Sequence, residues 1–529
     1  MSKTTVHSAD SDRPESRAIA RLEIGMIVGG LAGITFLLPH DLLWGDGGFR
    51  YLYLWRLLLE GHLSEEKYSL IGPLFSTPLW ELGRLYQSPE WWCEKYNALV
   101  FATGLFVFYR MLRNHVPRRL LRRFLLLLTF ASMFSHHLLF YWGEVFTAVM
   151  VGIGAVFLVA KRRGWTAIVL GVANSPATLP AMMLLTVERI CVTRRLRLGL
   201  AVVAAVAVVL LEAWIRRGNP FETGYGDDRG PKTIMPFSGQ PGLSYPIFFG
   251  LLSLLLSFGK GLLFFAPGLF LPVRRRIAEL PGGTGVHLTA LYRMWIAFVV
   301  GLVLLYSTYW SWSGSTFYGP RYLLFASLPA CLALAVRLHR QDPSILANTI
   351  TVLALGLSLW VGLNGAVFGD APARDVCLEP NGHFFEAPLC FYTPEFSALW
   401  VPFVHAQELT AGQLVYLVYG LCVACYLMTP PLLALAGQLL ARARLLADNA
   451  GDDRHESRSS TAPAMEGRCQ LVTSSGIAIA RTTTESTSPE QTVATFRSAW
   501  SLPLALSLRG NDSELCREPD QSITDSPPG

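Results

Sequence analysis

Long apolar blocks separated by short polar or basic turns fill the first 440 residues, and few of them alternate apolar with polar positions. A hydrocarbon core of about 30 Å needs about 20 apolar residues per helix. Backbone groups in lipid must pair within their own segment, so unalternating blocks predict helices and not a barrel. Spans are expected near 24–39, 97–112, 124–142, 145–160, 199–214, 294–310, 322–338, 345–368 and 411–438. Residues 165–187 are apolar, but Asn174-Ser175-Pro176 and Pro180 interrupt them between basic flanks, which predicts a broken, re-entrant hairpin. An apolar interfacial or re-entrant segment, 243–258, is followed by a returning stretch, Gly261–Val273. The expected fold is all-α: a polytopic membrane protein with about ten transmembrane helices, a re-entrant hairpin and outer-face juxtamembrane helices.

The polar segment after the first span has its own periodicity. Phe49, Leu52, Trp55, Leu58 and Leu59 fall at helical spacing, with Arg50, Arg56 and Glu60 between them. That pattern predicts an amphipathic helix lying in the membrane interface.

Basic runs at Arg110–Arg123, Lys161–Arg163, Arg189–Arg197 and Arg274–Arg276 read as cytoplasmic loops under the positive-inside rule. They place residues 1–22 inside, a transmembrane domain over 23–440, and outer loops at 40–96, 215–260 and 369–409. From 447 to 529 the chain turns to Ser, Thr, Asp, Glu and Pro, too little apolar periodicity for a core, and reads as a disordered cytoplasmic tail. No cleavable signal peptide is evident, so the first span reads as a signal anchor. The loops and motifs of the two halves show no internal repeat.

Composition agrees with lipid as the solvent. Hydrophobic residues make up 52% and charged residues 16%, against roughly 25% charged in soluble domains. The mean hydropathy is +0.38. The net charge of +6 lies in the clusters between apolar blocks, so it marks topology and excludes a nucleic-acid partner. Among nine cysteines, Cys377 and Cys390 share the third outer loop and are either a disulfide or two free thiols. Cys422 and Cys425 form a CxxC inside an apolar block and read as small buried hydrophobes.

Charges expected at the outer surface are the informative ones, because topology does not require them. The first outer loop offers Asp41, Asp46, Arg50, Glu66 and Lys67. A carboxylate near two cations suits taking a proton from a hydroxyl while an anionic leaving group is held, although a solvated loop would carry the same residues. Arg216 and Arg217 violate the positive-inside trend, and lipid phosphate, whether a ligand's or a headgroup's, would satisfy them. Lys260 heads a later span, and Trp310–Tyr322 sets aromatics beside small polar residues and Arg321. That composition suits a sugar face and a phosphate, or an interfacial aromatic belt. His136-His137, close to Glu144, read as metal ligands or as helix-end polar groups.

Together these segments resemble the GT-C superfamily of polyprenyl-phosphate-dependent glycosyltransferases, in particular the bacterial multipass branch around protein O-mannosyltransferases and the lipid A aminoarabinose transferase. The similarity covers roughly residues 20–440 in layout. Asp46-Gly47-Gly48-Phe49-Arg50-Tyr51 resembles the family's Asp-Glu followed by Arg-Tyr, with the second acid missing and the spacing one residue longer. Glu66-Lys67 looks like the family's Glu-Lys element, Glu144 stands where relatives place an acid between the third and fourth spans, and Asn174–Thr178 looks like the Thr-Arg/Lys-Pro-Thr stretch without its cation. The resemblance implies Asp46 as catalytic base, with Asp41 as its rival. It implies Arg50, Lys67, Arg217, Lys260 and Arg321 at the donor phosphate, and Glu66 and Glu144 at a divalent metal ion. The implied partners are a polyprenyl-phosphate-linked sugar and a glycan, lipid or protein acceptor, at the outer face of a bacterial cell membrane. The expected reaction is transfer to an acceptor hydroxyl with inversion. A transporter or flippase of lipid-linked glycans is the alternative, although it would favour repeated halves and midplane charges. A non-catalytic membrane scaffold is a further alternative, which leaves the outer charges unexplained.

Overall fold

Ser16 opens the first helix by accepting a hydrogen bond from the Ala18 amide, so α1 (Arg17–Phe36) begins inside the segment expected to precede it. The structure, a computed structural model, describes residues 16–222, 224, 232, 237–280, 287–340, 342–370 and 388–459. Among these residues the regular structure is helical, with no strand and a single isolated bridge between Asp41 and Phe140. The longer helices that follow are α2 (Asp46–Glu60), α3 (Tyr96–Leu112), α4 (Arg118–Phe130), α5 (Gly143–Val159), α6 (Trp165–Asn174) and α7 (Leu179–Thr193). Then come α8 (Leu200–Arg217), α9 (Ile247–Leu256), α10 (Leu288–Tyr306), α11 (Ser327–His339), α12 (Ile345–Val367) and α13 (Ala411–Ser459).

Six described segments are long and apolar enough to cross a membrane: Arg17–Phe36, Leu196–Arg217, Leu288–Tyr306, Arg321–His339, Ile345–Val367 and Ala411–Ala447. The other expected spans form shorter or broken helices, and most of these lie inside the bundle. From Leu120 to Phe130 every residue of α4 is buried, as is every residue of α11 from Ser327 to Arg337. A helix sheathed by protein need not match the hydrocarbon thickness, and irregular backbone at depth is tolerated where protein surrounds it. α4 therefore stops at Phe130, where Ser132 and Ser135 hydroxyls take the Leu128 and Thr129 carbonyls, and Phe134–His137 forms a separate turn. Gly261–Val273 is likewise cut by its prolines into a turn at Leu262–Phe265 and a 3-10 turn at Pro267–Phe270.

α5 is the axis that positions the site. It packs against α3, α6, α10 and the turn Arg321–Ala326. Apolar burial adds little driving force between helices in lipid, so close approach between small residues matters more. The backbone of Gly164 backs onto Gly154, and Gly171 lies against Thr147. α6 thus follows α5 back to its first residue, and the break at Asn174–Thr178 sits level with Gly143, at the site end of the bundle.

α2 forms as expected, with its faces divided differently from a simple interfacial helix. Phe49, Leu52 and Leu59 are exposed, while Gly47, Arg50, Tyr51 and Leu54 are buried against the bundle. Three residues of the apolar stripe thus point outward, Trp55 and Leu58 pack partly against the bundle, and the arginine points in. At the other end of the chain α13 continues past the expected start of the tail at 447. Residues 460–529, Cys377 and the loop 371–387 lie outside the described residues.

Candidate functional site

Asp46 is the first residue of α2, where the helix dipole favours an anion. One carboxylate oxygen lies 3.0 Å from Arg321 Nη1, and the other accepts a hydrogen bond from the Tyr68 hydroxyl at 2.8 Å. Glu144, in the first turn of α5, approaches the same Arg321 nitrogen at 3.9 Å. The Arg321 side chain is 5% exposed, whereas those of Asp46 and Glu144 are 23% and 17% exposed. Two partly exposed carboxylates thus flank a buried guanidinium. Burial pushes the Asp46 carboxyl up, but Arg321, the Tyr68 hydroxyl, Arg50 and Lys67 outweigh it and hold it below its ordinary 3.8.

Arg321 reaches this point because of the strap before it. Gly319 has a φ of +60°, a conformation open to glycine at little cost, and the strap turns there into Pro320. The Lys260 ammonium donates to the carbonyls of Phe317 and Gly319 and ties the strap down. The guanidinium lies 4.3 Å from the Phe317 ring centroid and 4.9 Å from that of Tyr322, whose hydroxyl it also reaches at 3.3 Å.

Arg50 lies one turn after Asp46 on the buried face of α2. It donates to the Ser69 carbonyl at 3.1 Å and to Asn174 Oδ1 at 3.4 Å. Its guanidinium rests on Gly143, where a Cβ would come within 2.7 Å of Cζ. The Tyr68 ring takes Arg50 Cζ and Lys67 Nζ at 5.5 and 5.4 Å from its centroid. Asp46, Glu144, Arg50, Lys67 and Arg321 therefore form one neighbourhood carrying more positive than negative charge.

Other expected site residues do different work. Arg217 donates to the carbonyls of Glu65, Glu66 and Glu222, and Arg216 donates to those of Ser64, Glu66 and Tyr68. Both arginines clamp the loop that carries Lys67 and Tyr68. Lys260 holds the strap before Arg321, as described. Asp41 is exposed and caps its own turn by accepting from the Leu43 amide. The Glu66 carboxylate acts on Tyr53, whose phenol is pushed up to about 12 by burial and then by Glu66. No described contact joins it to Glu144, and no group of three or more His, Cys, Asp or Glu able to hold a metal ion occurs among the described residues. The donor set expected for a divalent ion is thus not assembled by Glu66 and Glu144. His136 and His137 are buried, and each turns Nδ1 to a backbone carbonyl, of Gly365 and Met133. Trp310, Trp312, Phe317 and Tyr318 are buried as packing, so none is open to a sugar face. Cys390 is disulfide-bonded, and its candidate partner Cys377 is outside the described residues.

Three contributors escaped the sequence reading. Tyr68, beside Lys67, had no signal beyond adjacency. Asn174 looked inert once its stretch lacked a cation. Glu212 accepts from the Leu70 amide at 2.9 Å and pairs with Arg216 at 3.0 Å. An acid inside an apolar helix is a warning that could have found it.

Fold and site together define a polytopic α-helical membrane protein with a charged, partly open site at one end of its helix bundle. No family model and no curated protein matches the chain. Two crystal structures are similar: ArnT from Cupriavidus metallidurans bound to undecaprenyl phosphate, and ArnT from the same organism in the apo state. Each is 16% identical, with a TM-score of 0.44 and 78% of both chains covered. A likeness at that level assigns neither residues nor reaction.

Proposed function

We propose that this chain is a membrane glycosyltransferase of GT-C type that moves a sugar from a polyprenyl-phosphate-linked donor to an acceptor hydroxyl, with inversion. The observation that carries this reading is the grouping of Asp46 and Glu144 over buried Arg321, with Arg50 and Lys67 beside them. A donor whose lipid lies in the bilayer presents its phosphate at the membrane face, and cations gathered at one end of a helix bundle suit that phosphate. Asp46 takes the proton of the acceptor hydroxyl. An ionised carboxylate has about four lone-pair sites, so its bonds to Tyr68 and Arg321 leave room for that proton. The acceptor oxygen attacks the anomeric carbon from the side opposite the phosphate. The bond from that carbon to the phosphate oxygen breaks, and its electron pair stays on the phosphate. Arg321, Arg50 and Lys67 stabilise the released anion in a site poor in water.

Binding of a polyprenyl phosphate to the purified wild type and to Arg50→Gln, Lys67→Gln and Arg321→Gln tests the reading. Loss of a charge-assisted hydrogen bond is worth about 1.5–3 kcal/mol, so each variant is expected to bind roughly ten- to a hundredfold more weakly. Unchanged affinity in all three removes the phosphate site and the lipid-linked donor with it.

A further inference from the structure

The side chain that joins most parts of the site end is Asn174, which belongs to neither the carboxylate pair nor the cations. It is fully buried at the last residue of α6, just before the break at Pro176. Its Oδ1 accepts from the Gly72 amide at 3.0 Å and from Arg50 Nη1 at 3.4 Å. Its Nδ2 donates to the Gly143 carbonyl at 2.8 Å and to Thr147 Oγ1 at 3.0 Å. One amide thus joins α2, the turn at Ile71–Leu74, α5 and α6, with both its donors and its acceptor engaged. The backbone makes room for it, because a Cβ on Gly72 would collide with Asn174 Oδ1. The proline break supplies the position: α6 has to end level with Gly143 for the amide to reach Arg50.

We propose that Asn174 is a positioning residue that fixes the Arg50 guanidinium for the phosphate of the lipid-linked donor, an inference that rests on the function proposed above. Arg50 has several rotatable bonds and would otherwise be free to turn toward other acceptors. Asn174 Oδ1 and the Ser69 carbonyl receive the same nitrogen, Nη1, and so define the edge of the guanidinium that stays turned inward. Nη2, which makes neither of these bonds, is the nitrogen assigned by this proposal to the ligand phosphate. A neutral amide suits this role better than an aspartate, which would neutralise the cation it orients.

The test is a double-mutant cycle on the full chain in detergent or nanodiscs, with a polyprenyl phosphate as probe and the matching polyprenol as control. Asn174→Ala is expected to weaken phosphate binding about tenfold and to leave polyprenol binding unchanged. In an Arg50→Ala background the same substitution is expected to have no further effect, because coupling through Arg50 makes the two changes non-additive. Should Asn174→Ala fail to fold, Gly72→Ala displaces the amide without deleting it and is expected to give the same selective loss. Wild-type affinity in a folded Asn174→Ala or Gly72→Ala protein overturns the inference, as does an equal loss with and without Arg50. Either result leaves the glycosyltransferase reading standing. If the wild type binds the phosphate no better than the polyprenol, both readings fall together.

Discussion

At one end of the bundle Glu23 of α1 lies fully buried, 2.6 Å from Arg122 Nε and 3.9 Å from Arg123 Nε, and accepts the Tyr426 hydroxyl at 2.9 Å. Nearby, Arg337 and Arg276 share Asp342, and Arg337 also donates to Thr351 and the Ala347 carbonyl. At the other end Asp46 and Glu144 share one guanidinium but keep an accessible edge. The first end is ion pairing used for assembly. Its Glu23 cluster ties α1, α4 and α13 together, with Glu23 closed off from any ligand. At the second end the carboxylates of Asp46 and Glu144 remain partly exposed, which describes a place where another molecule belongs. Salt-bridge geometry alone does not separate the two, since Asp46–Arg321 at 3.0 Å is as good a pair as most. Accessibility separates Glu23, at 0% exposed, from Asp46 and Glu144, at 23% and 17%.

The sharpest way to break this contrast is to remove one carboxylate from each end. Asp46→Asn is expected to lower transfer about a hundred- to ten-thousandfold, the range of a general base, while the protein still folds and inserts. Glu23→Gln is expected to do the reverse. It leaves Arg122 buried without its anion, at a cost of about 3–5 kcal/mol in stability, with the affinity for polyprenyl phosphate kept. Transfer rate, unfolding in detergent and lipid binding, measured on both variants, check this. Near-normal turnover in Asp46→Asn would move the base away from Asp46, and a stable but inactive Glu23→Gln would erase the distinction between the ends.

Acidity sharpens it further. The Asp46 carboxyl is held below 3.8 in the folded chain, so its ionised form contributes stability at pH values above the unfolded value and loses that contribution as pH falls through the lowered folded value. The proton-accepting form therefore persists throughout the mildly acidic range. Transfer is expected to show no acid limb from Asp46 down to about pH 4, and the stability difference between wild type and Asp46→Asn is expected to shrink only below that. Activity and melting profiles against pH measure both. A limb near neutral pH would mean that another group takes the proton.

The apolar blocks, the amphipathic helix over 46–60 and the acid that opens it could be read from the sequence, because spacing and hydropathy act locally. Asp46, Arg50, Lys67, Glu144 and Arg321 could be named from charges that topology leaves unexplained, helped by the family's motifs. Their separation into base, cation and clamp could not be read. Arg217 and Lys260 look like phosphate ligands until the carbonyls of Glu65, Glu66 and Phe317 are seen at their donors. Those contacts join residues far apart in the chain and leave no trace in composition. Asn174 carries no charge to mark it in the sequence, yet an amide that donates and accepts is what a buried crossing of three backbones requires.

The smallest expected effect concerns the rival base. Asp41 and Asp46 are five positions apart in one loop, and sequence alone leaves the choice open. In the structure Asp41 is exposed, its carboxylate accepts the Leu43 amide at 3.2 Å, and its own amide donates to the Leu139 carbonyl at 3.0 Å. The backbone bond ties the loop to the turn before α5, and it survives any side-chain change. Asp41→Asn keeps an oxygen for the Leu43 amide as well, so about 0.5 kcal/mol or less of stability is at stake, as for most surface substitutions. Transfer is expected to stay within about twofold of wild type, because no cation of the site contacts Asp41 among the described residues. The measurement is the same transfer assay run beside Asp46→Asn. A dead Asp41→Asn with an active Asp46→Asn would exchange the two roles and place the reacting hydroxyl on the exposed side of the loop, away from Arg321.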